Sequence, residues 1–194
     1  LRKLHLELGG NDAAIVLEDA DLDLAVPQFI FGRTLMNGQA CASNKRLIVH
    51  RSRAAELAER LAVEIDRLRM GDAADPGTTL GPLISERAAD RVVTQIREAV
   101  REGATLLRGE ASRDRCFVGA HLLADVPATA AIARDEEIFG PVLPIIPVAD
   151  EAEALKMANQ SSFGLSGCVF TRDWQRGLRL AEAMECGGCV VNGT

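Results

Sequence analysis

Apolar and polar positions alternate between two periods along this chain. Leu4 to Leu8 is a short apolar stretch ending in Gly9-Gly10, and Ala13 to Leu17 is a compact apolar run of strand length. Asp19-Ala-Asp21 then offers N-cap chemistry for a helix running towards Met36. Pro27 lies inside that segment, where its missing donor and its bulk predict a kink or a later true start. Leu47 to His50 reads as a strand. Ser52 then caps a helix to about Leu68, with Leu57, Leu61, Ile65 and Leu68 on one face. Gly71 to Pro82 is rich in breakers and predicts an ordered, turn-laden loop. Ser85 and Glu86 open a helix to about Arg101, with Val92, Val93, Ile96 and Val100 on its buried side, and Gly103 ends it. Thr105 to Leu107, Phe117 to Val126 and Val142 to Val148 read as strands, the last with Pro144 suggesting an edge or a bulge. A helix over Glu151 to Asn159, a strand over Leu165 to Thr171, a helix from Asp173 to Met184 and a strand over Cys189 to Asn192 complete the pattern. Such alternation predicts an α/β fold of three layers, a mostly parallel sheet covered by helices on both faces.

Composition narrows the setting. The 194 residues are 47% hydrophobic, enough for one substantial domain with its own core. The 22 basic and 28 acidic residues give a net charge of -6, and the basic ones are scattered, which argues against nucleic acid as a partner. No apolar run approaches the ~18 residues of a membrane span, and no basic-then-apolar leader is present. A soluble, cytoplasmic protein is expected. The chain begins at Leu1 rather than Met and stops just after an apolar strand, so a piece of a longer polypeptide is also expected.

Five cysteines, an odd number at irregular spacing, suit a reducing compartment. Cys186 and Cys189 form one C-G-G-C, but a single pair makes a poor zinc site, and no metal site is expected. A helical pattern precedes the pair and a strand follows it, the reverse of a thioredoxin-like arrangement. Cys116 and Cys168 sit in strand-like runs and read as core residues.

The remaining cysteine has a different setting. M-N-G-Q-A-C-A-S-N-K-R, Met36 to Arg46, puts Cys41 in a short loop at a helix-to-strand corner. A thiol is a strong nucleophile once deprotonated, and Lys45 and Arg46 are close in sequence. The plainer alternative is a buried cysteine acting as a small hydrophobe. Glu7, between Leu6 and Leu8 and just before Gly9-Gly10, suits a general base whose pKa is raised by apolar company, or a strand residue facing solvent. Glu136-Glu137-Ile138-Phe139-Gly140-Pro141-Val142 couples a carboxylate able to grip ribose hydroxyls to an aromatic able to press on a flat ring; it also suits an acidic turn with one anchoring Phe. Gly164-Leu165-Ser166-Gly167 says little by itself.

In combination, E-L-G-G, G-Q-x-C with its Cys thirty-four residues after that Glu, P-G-T-T-L-G-P-L-I-S, E-E-I-F-G-P-V and the closing C-V-V-N resemble the NAD(P)-dependent aldehyde dehydrogenase superfamily over essentially the whole chain. The resemblance implies Cys41 as nucleophile, Glu7 as the base that activates the deacylating water, Glu137 as the carboxylate on the nicotinamide ribose, and Phe139 as the aromatic near the nicotinamide, with Gly9 beside the cofactor. It implies NAD or NADP as cofactor, an aldehyde as substrate, and a homo-oligomer, dimer or tetramer, for the full-length protein. Residues 1–10 would end the dinucleotide-binding domain and residues 11–194 would be the catalytic domain, truncated relative to the family.

Position 40 is Ala where many relatives carry a larger residue, and with Ala42 it is expected to widen the pocket around the thiol. No G-x-G-x-x-G or P-loop occurs in the chain. Two other classes stay open: a cysteine hydrolase or acyl transferase pairing Cys41 with His5, and a non-catalytic assembly fragment.

Overall fold

The computed structural model describes residues 2–6 and 8–194. A seven-stranded sheet is formed by β1 (Ala13–Val16), β2 (Arg46–His50), β3 (Thr105–Arg108), β4 (His121–Ala124), β5 (Val142–Val148), β6 (Ser166–Phe170) and β7 (Gly188–Val191), in the order β3-β4-β5-β2-β1-β6-β7. Every pair is parallel except β3 with β4 at one edge. The helices are α1 (Leu22–Thr34), α2 (Arg51–Asp66), α3 (Glu86–Arg101), the single turn α4 (Ala131–Arg134), α5 (Glu151–Ala158) and α6 (Trp174–Ala183).

Successive strand residues point to opposite faces, so the two-residue period of β1 supplies both cores. Ala13 and Ile15 join Ile48, Ile146 and Val169 under α3 to α6. Ala14 and Val16 join Leu47, Val49, Ile145 and Phe170 under α1 and α2. The three-layer α/β/α expectation therefore holds, with near-continuous apolar strands because both faces are covered. No helix among the described residues is long and apolar enough to cross a membrane.

Several local expectations need correction. Helix α1 begins at Leu22, capped by Asp21, and runs through Pro27 as one element, the proline removing a single intrahelical donor without ending the helix. It ends at Thr34 rather than Met36, because a 3-10 turn (Leu35–Gly38) carries Met36 and Asn37 into left-handed backbone at φ 50 and 59. Helix α2 is capped by the His50 ring, which accepts from the Ser52 amide, so Ser52 is not the cap. On α3 the buried side runs through Ala99, while Val100 is 40% exposed. Pro144 is in an interior strand. Val142 to Pro144 are in register with β4 and Ile145 to Val148 with β2, so the proline stands where the ladder passes from one neighbour to the other. Cys116 lies half-buried in a turn, not in a strand. Residues 2–6 and 8 are outside any strand, and Leu4, Leu6 and Leu8 are exposed.

Candidate active site

Four of the loops carrying the singled-out motifs enter parallel strands at their N-terminal ends. Gly9-Gly10 precedes β1, the Cys41 loop precedes β2, Glu137 to Pro141 precedes β5, and Gly164-Leu165 precedes β6. Open parallel sheets commonly bind ligands at the opposite, carboxyl ends, so this site uses the other edge.

Two glycines permit the loops to meet. A Cβ on Gly38 would come within 2.3 Å of the Gly140 carbonyl oxygen, and its φ of +76 is itself unfavourable for other residues. A Cβ on Gly10 would come within 2.4 Å of the Cys41 carbonyl oxygen. The G-Q-x-C segment is thus pressed between the E-L-G-G and F-G-P segments, backbone against backbone.

Polar anchors complete the frame. Asn37 accepts from the Gly81 amide at 2.7 Å and donates to the Pro82 carbonyl at 3.1 Å, while Gln39 accepts from the Ile84 amide at 2.9 Å. These bonds dock the P-G-T-T-L-G-P-L-I-S loop onto the cysteine segment. From the other side Arg33, only 1% exposed, donates to Ser43 Oγ at 2.9 Å, Val142 O at 2.7 Å and Ile138 O at 2.6 Å. Burial pulls the Arg33 pKa below the usual arginine value, and the Glu137 charge pushes it back up.

Cys41 is a free, half-buried thiol in the turn between Gly38 and β2. It shares a cavity of about 800 Å³ with Gly9, Gln39, Ala40, Glu137 and Phe139. Phe139 is 38% exposed, presenting its ring to that space. Glu137 accepts from the Gly10 amide at 3.2 Å, and its backbone carbonyl accepts from Gln95 Nε2 at 3.0 Å. A Cβ on Gly9 would meet Glu137 Oε2 at 2.8 Å, so the glycine keeps that face of the carboxylate clear. Four of the five residues expected at the site therefore lie together. The fifth, Glu7, falls outside the described residues.

The two cations close to Cys41 in sequence go different ways. Arg46 turns into the core and donates to the carbonyls of Asn11, Met157 and Ala158 at 2.9 Å each. Lys45, 1% exposed, donates to Ala40 O at 2.9 Å and Cys41 O at 2.6 Å and pairs with Glu137 Oε1 at 3.3 Å. Its ammonium lies 5.9 Å from the Phe139 ring centroid. Burial lowers the Lys45 pKa first, the Arg33 charge next, and Glu137 and Asp12 counter both. Asp12, buried behind the loop, accepts from the Ser166 amide and hydroxyl; burial raises its pKa against those bonds. This gives the Gly164-Leu165-Ser166-Gly167 stretch a supporting role. Ala40 lines the cavity, but Ala42 is exposed away from it, so only Ala40 bears on pocket width.

Gln39 was read only as part of G-Q-x-C, and the roles of Arg33, Asn37 and Gln95 had little signal in their surroundings because their partners lie in distant segments. The one available signal was a charged Arg33 in an otherwise weakly polar helix end.

A family described as "Aldehyde dehydrogenase family" matches residues 1–194. The chain is 41% identical over 192 residues to a glutarate-semialdehyde dehydrogenase of Pseudomonas putida, covering 99% of this chain and 40% of that protein. It is 38% identical over 194 residues to a succinate-semialdehyde dehydrogenase [NADP(+)] of Escherichia coli, with 99% and 40% covered. Among solved structures, an NADP-dependent glyceraldehyde-3-phosphate dehydrogenase from Bacillus halodurans complexed with NADP superposes with a TM-score of 0.92 at 38% identity, over 97% of this chain and 39% of that one. A betaine aldehyde dehydrogenase from Staphylococcus aureus in complex with NAD+ gives 0.90 at 30% identity, over 97% and 38%. The chain thus spans about two-fifths of the length of the relatives it matches.

Proposed function

The chain belongs to the aldehyde dehydrogenase family, and we propose that the protein it forms part of oxidises an aldehyde to a carboxylic acid with NAD(P)+ as hydride acceptor. The observation that carries this reading is the convergence of Cys41, Glu137 and Phe139 on one cavity from three separate loops. Residues 1–10 are assigned to the end of the dinucleotide-binding domain and residues 11–194 to the catalytic domain. A homo-oligomeric, cytoplasmic enzyme is the accompanying expectation.

The residues present suit a dinucleotide. A carboxylate kept clear by Gly9 can accept from ribose hydroxyls, and an aromatic face beside it can pack on a planar ring. Glu137, Phe139 and Gly9 would hold the nicotinamide end. Bound there, the cofactor supplies the hydride acceptor.

The Cys41 thiolate adds to the aldehyde carbon, forming the C–S bond while the carbonyl π pair moves to oxygen. Backbone N–H groups, the Cys41 amide among them, donate hydrogen bonds to the developing oxyanion. When that oxyanion collapses, the C–H electron pair leaves as hydride and a thioester remains on Cys41. Glu7 then takes a proton from water, the hydroxide equivalent attacks the thioester, and C–S cleavage returns the thiolate and releases the acid.

NAD(P)H formation by the full-length protein with a panel of aldehydes, beside a Cys41→Ala control, tests this. Formation is expected with at least one aldehyde, with a fall of roughly three orders of magnitude or more in the control, as for loss of a nucleophile. Formation that persists in the control, or none with any aldehyde, would contradict it.

A further inference from the structure

We propose that Lys45 is a positioning residue that couples the nucleophile loop to the cofactor carboxylate. This deepens the proposed function and rests on it. An ammonium has three N–H donors and no acceptor, and Lys45 directs them at Ala40 O, Cys41 O and Glu137 Oε1. Two of the three hold the peptide units on either side of the Cys41 α-carbon; the third holds Glu137.

An ammonium with almost no solvent exposure is costly unless each donor is matched, so its placement here is demanding. The same charge also stands near the Phe139 ring. Lys45 therefore reaches the loop of the nucleophile together with Glu137 and Phe139, two of the three residues assigned to the nicotinamide end. Its neighbours cannot substitute for it: Arg46 is committed to core carbonyls, and Arg33 to Ser43, Ile138 and Val142. Glu137 has a second anchor in the Gly10 amide, and Gly10 lies so near the Cys41 carbonyl that a Cβ there would collide with it. The loop, the carboxylate and Gly10 thus close a ring of contacts around the ammonium. Movement of Glu137 on meeting ribose hydroxyls is passed through Lys45 to the backbone of Cys41.

The test is a double-mutant cycle in the full-length protein, with Lys45→Gln, Glu137→Gln and both together. One readout is NAD(P)H affinity by fluorescence titration; the other is the rate of Cys41 alkylation by iodoacetamide without cofactor. Lys45→Gln should weaken NAD(P)H binding on the order of tenfold, and this effect should largely vanish in the Glu137→Gln background, as for neighbours in one network. The same variant should change the alkylation rate. A purely structural lysine would lower thermal stability and the number of sites while leaving the affinity of the remaining sites and the alkylation rate unchanged. Additive effects on affinity, or an unchanged alkylation rate, would overturn the coupling. If Lys45→Gln fails to fold, Lys45→Arg keeps the charge in a planar fork that cannot match the same three acceptors. It should then show the same non-additivity in smaller measure, and full additivity would overturn the proposal. A wild-type protein that oxidises no aldehyde would instead remove the functional reading itself.

Discussion

Arg33 and Lys45 have their charged groups inside the protein, each about 1% exposed, and neither was identifiable as buried from its neighbours in sequence. For Arg33 the consequence is mainly stability. Its guanidinium ties the end of α1 to Ser43 in the nucleophile loop and to the Ile138 and Val142 carbonyls at the entry to β5. Arg33→Met fills the space but leaves those acceptors buried without a donor. A loss of roughly 3 kcal/mol or more is expected, since each bond is charge-assisted. The urea unfolding midpoint of the full-length variant measures it, and an unchanged midpoint would contradict the assignment. Cys41, Glu137, Phe139 and Gly9 were singled out because each stands in a short motif and the motifs in combination resemble the aldehyde dehydrogenases; that they share one cavity is visible only in the fold. The hydrogen-bond network that joins them was not legible, because it links residues more than a hundred positions apart, as from Gly10 to Glu137 and from Arg33 to Val142.

At the level of elements, the strands and helices followed from apolar periodicity because both faces of the sheet are covered and the runs are strong. The departures cluster at ends. Asp21, Ser85, Asp150 and Asp173 cap helices through their side chains, so those starts were readable or nearly so. The cap at His50 was not, since a ring nitrogen took the place of the usual hydroxyl or carboxylate. The end of α1 was missed for a different reason: left-handed backbone at Met36 and Asn37 is imposed by the docking of Asn37 onto Gly81 and Pro82. That bend delivers Gly38 to Gly140. Gly38→Ala meets both a positive φ and a backbone obstruction, so the cysteine segment must move away from the F-G-P turn. Displacement by even an ångström can cost on the order of a hundredfold in turnover. The expected outcome is a kcat loss of about that size with secondary structure by circular dichroism unchanged; wild-type turnover would contradict it.

At the scale of the whole molecule, the sheet places the candidate site at the N-terminal edge of its central strands, with Leu8, Gly9 and Phe139 facing outward around the cavity. The chain covers about two-fifths of its relatives and contains no G-x-G-x-x-G or P-loop for a cofactor phosphate. Taken as an isolated polypeptide, these 194 residues are therefore expected to show no saturable NAD(P)H binding at concentrations that saturate the full-length protein. Fluorescence titration of both checks this, and equal affinity would show that the cofactor needs nothing beyond this chain.

The most direct test of the central claim is to trap the covalent intermediate. Full-length Glu7→Gln, mixed with NAD(P)+ and an aldehyde and quenched in acid, should accumulate a thioester that the wild type hydrolyses. Peptide mass spectrometry should then find the acyl group on the peptide containing Cys41, as a mass gain of the aldehyde less two hydrogens, one lost as hydride from the aldehyde carbon and one as the thiol proton. An acyl group on another residue, or an unmodified Cys41 in a variant that still forms NAD(P)H, would contradict the account.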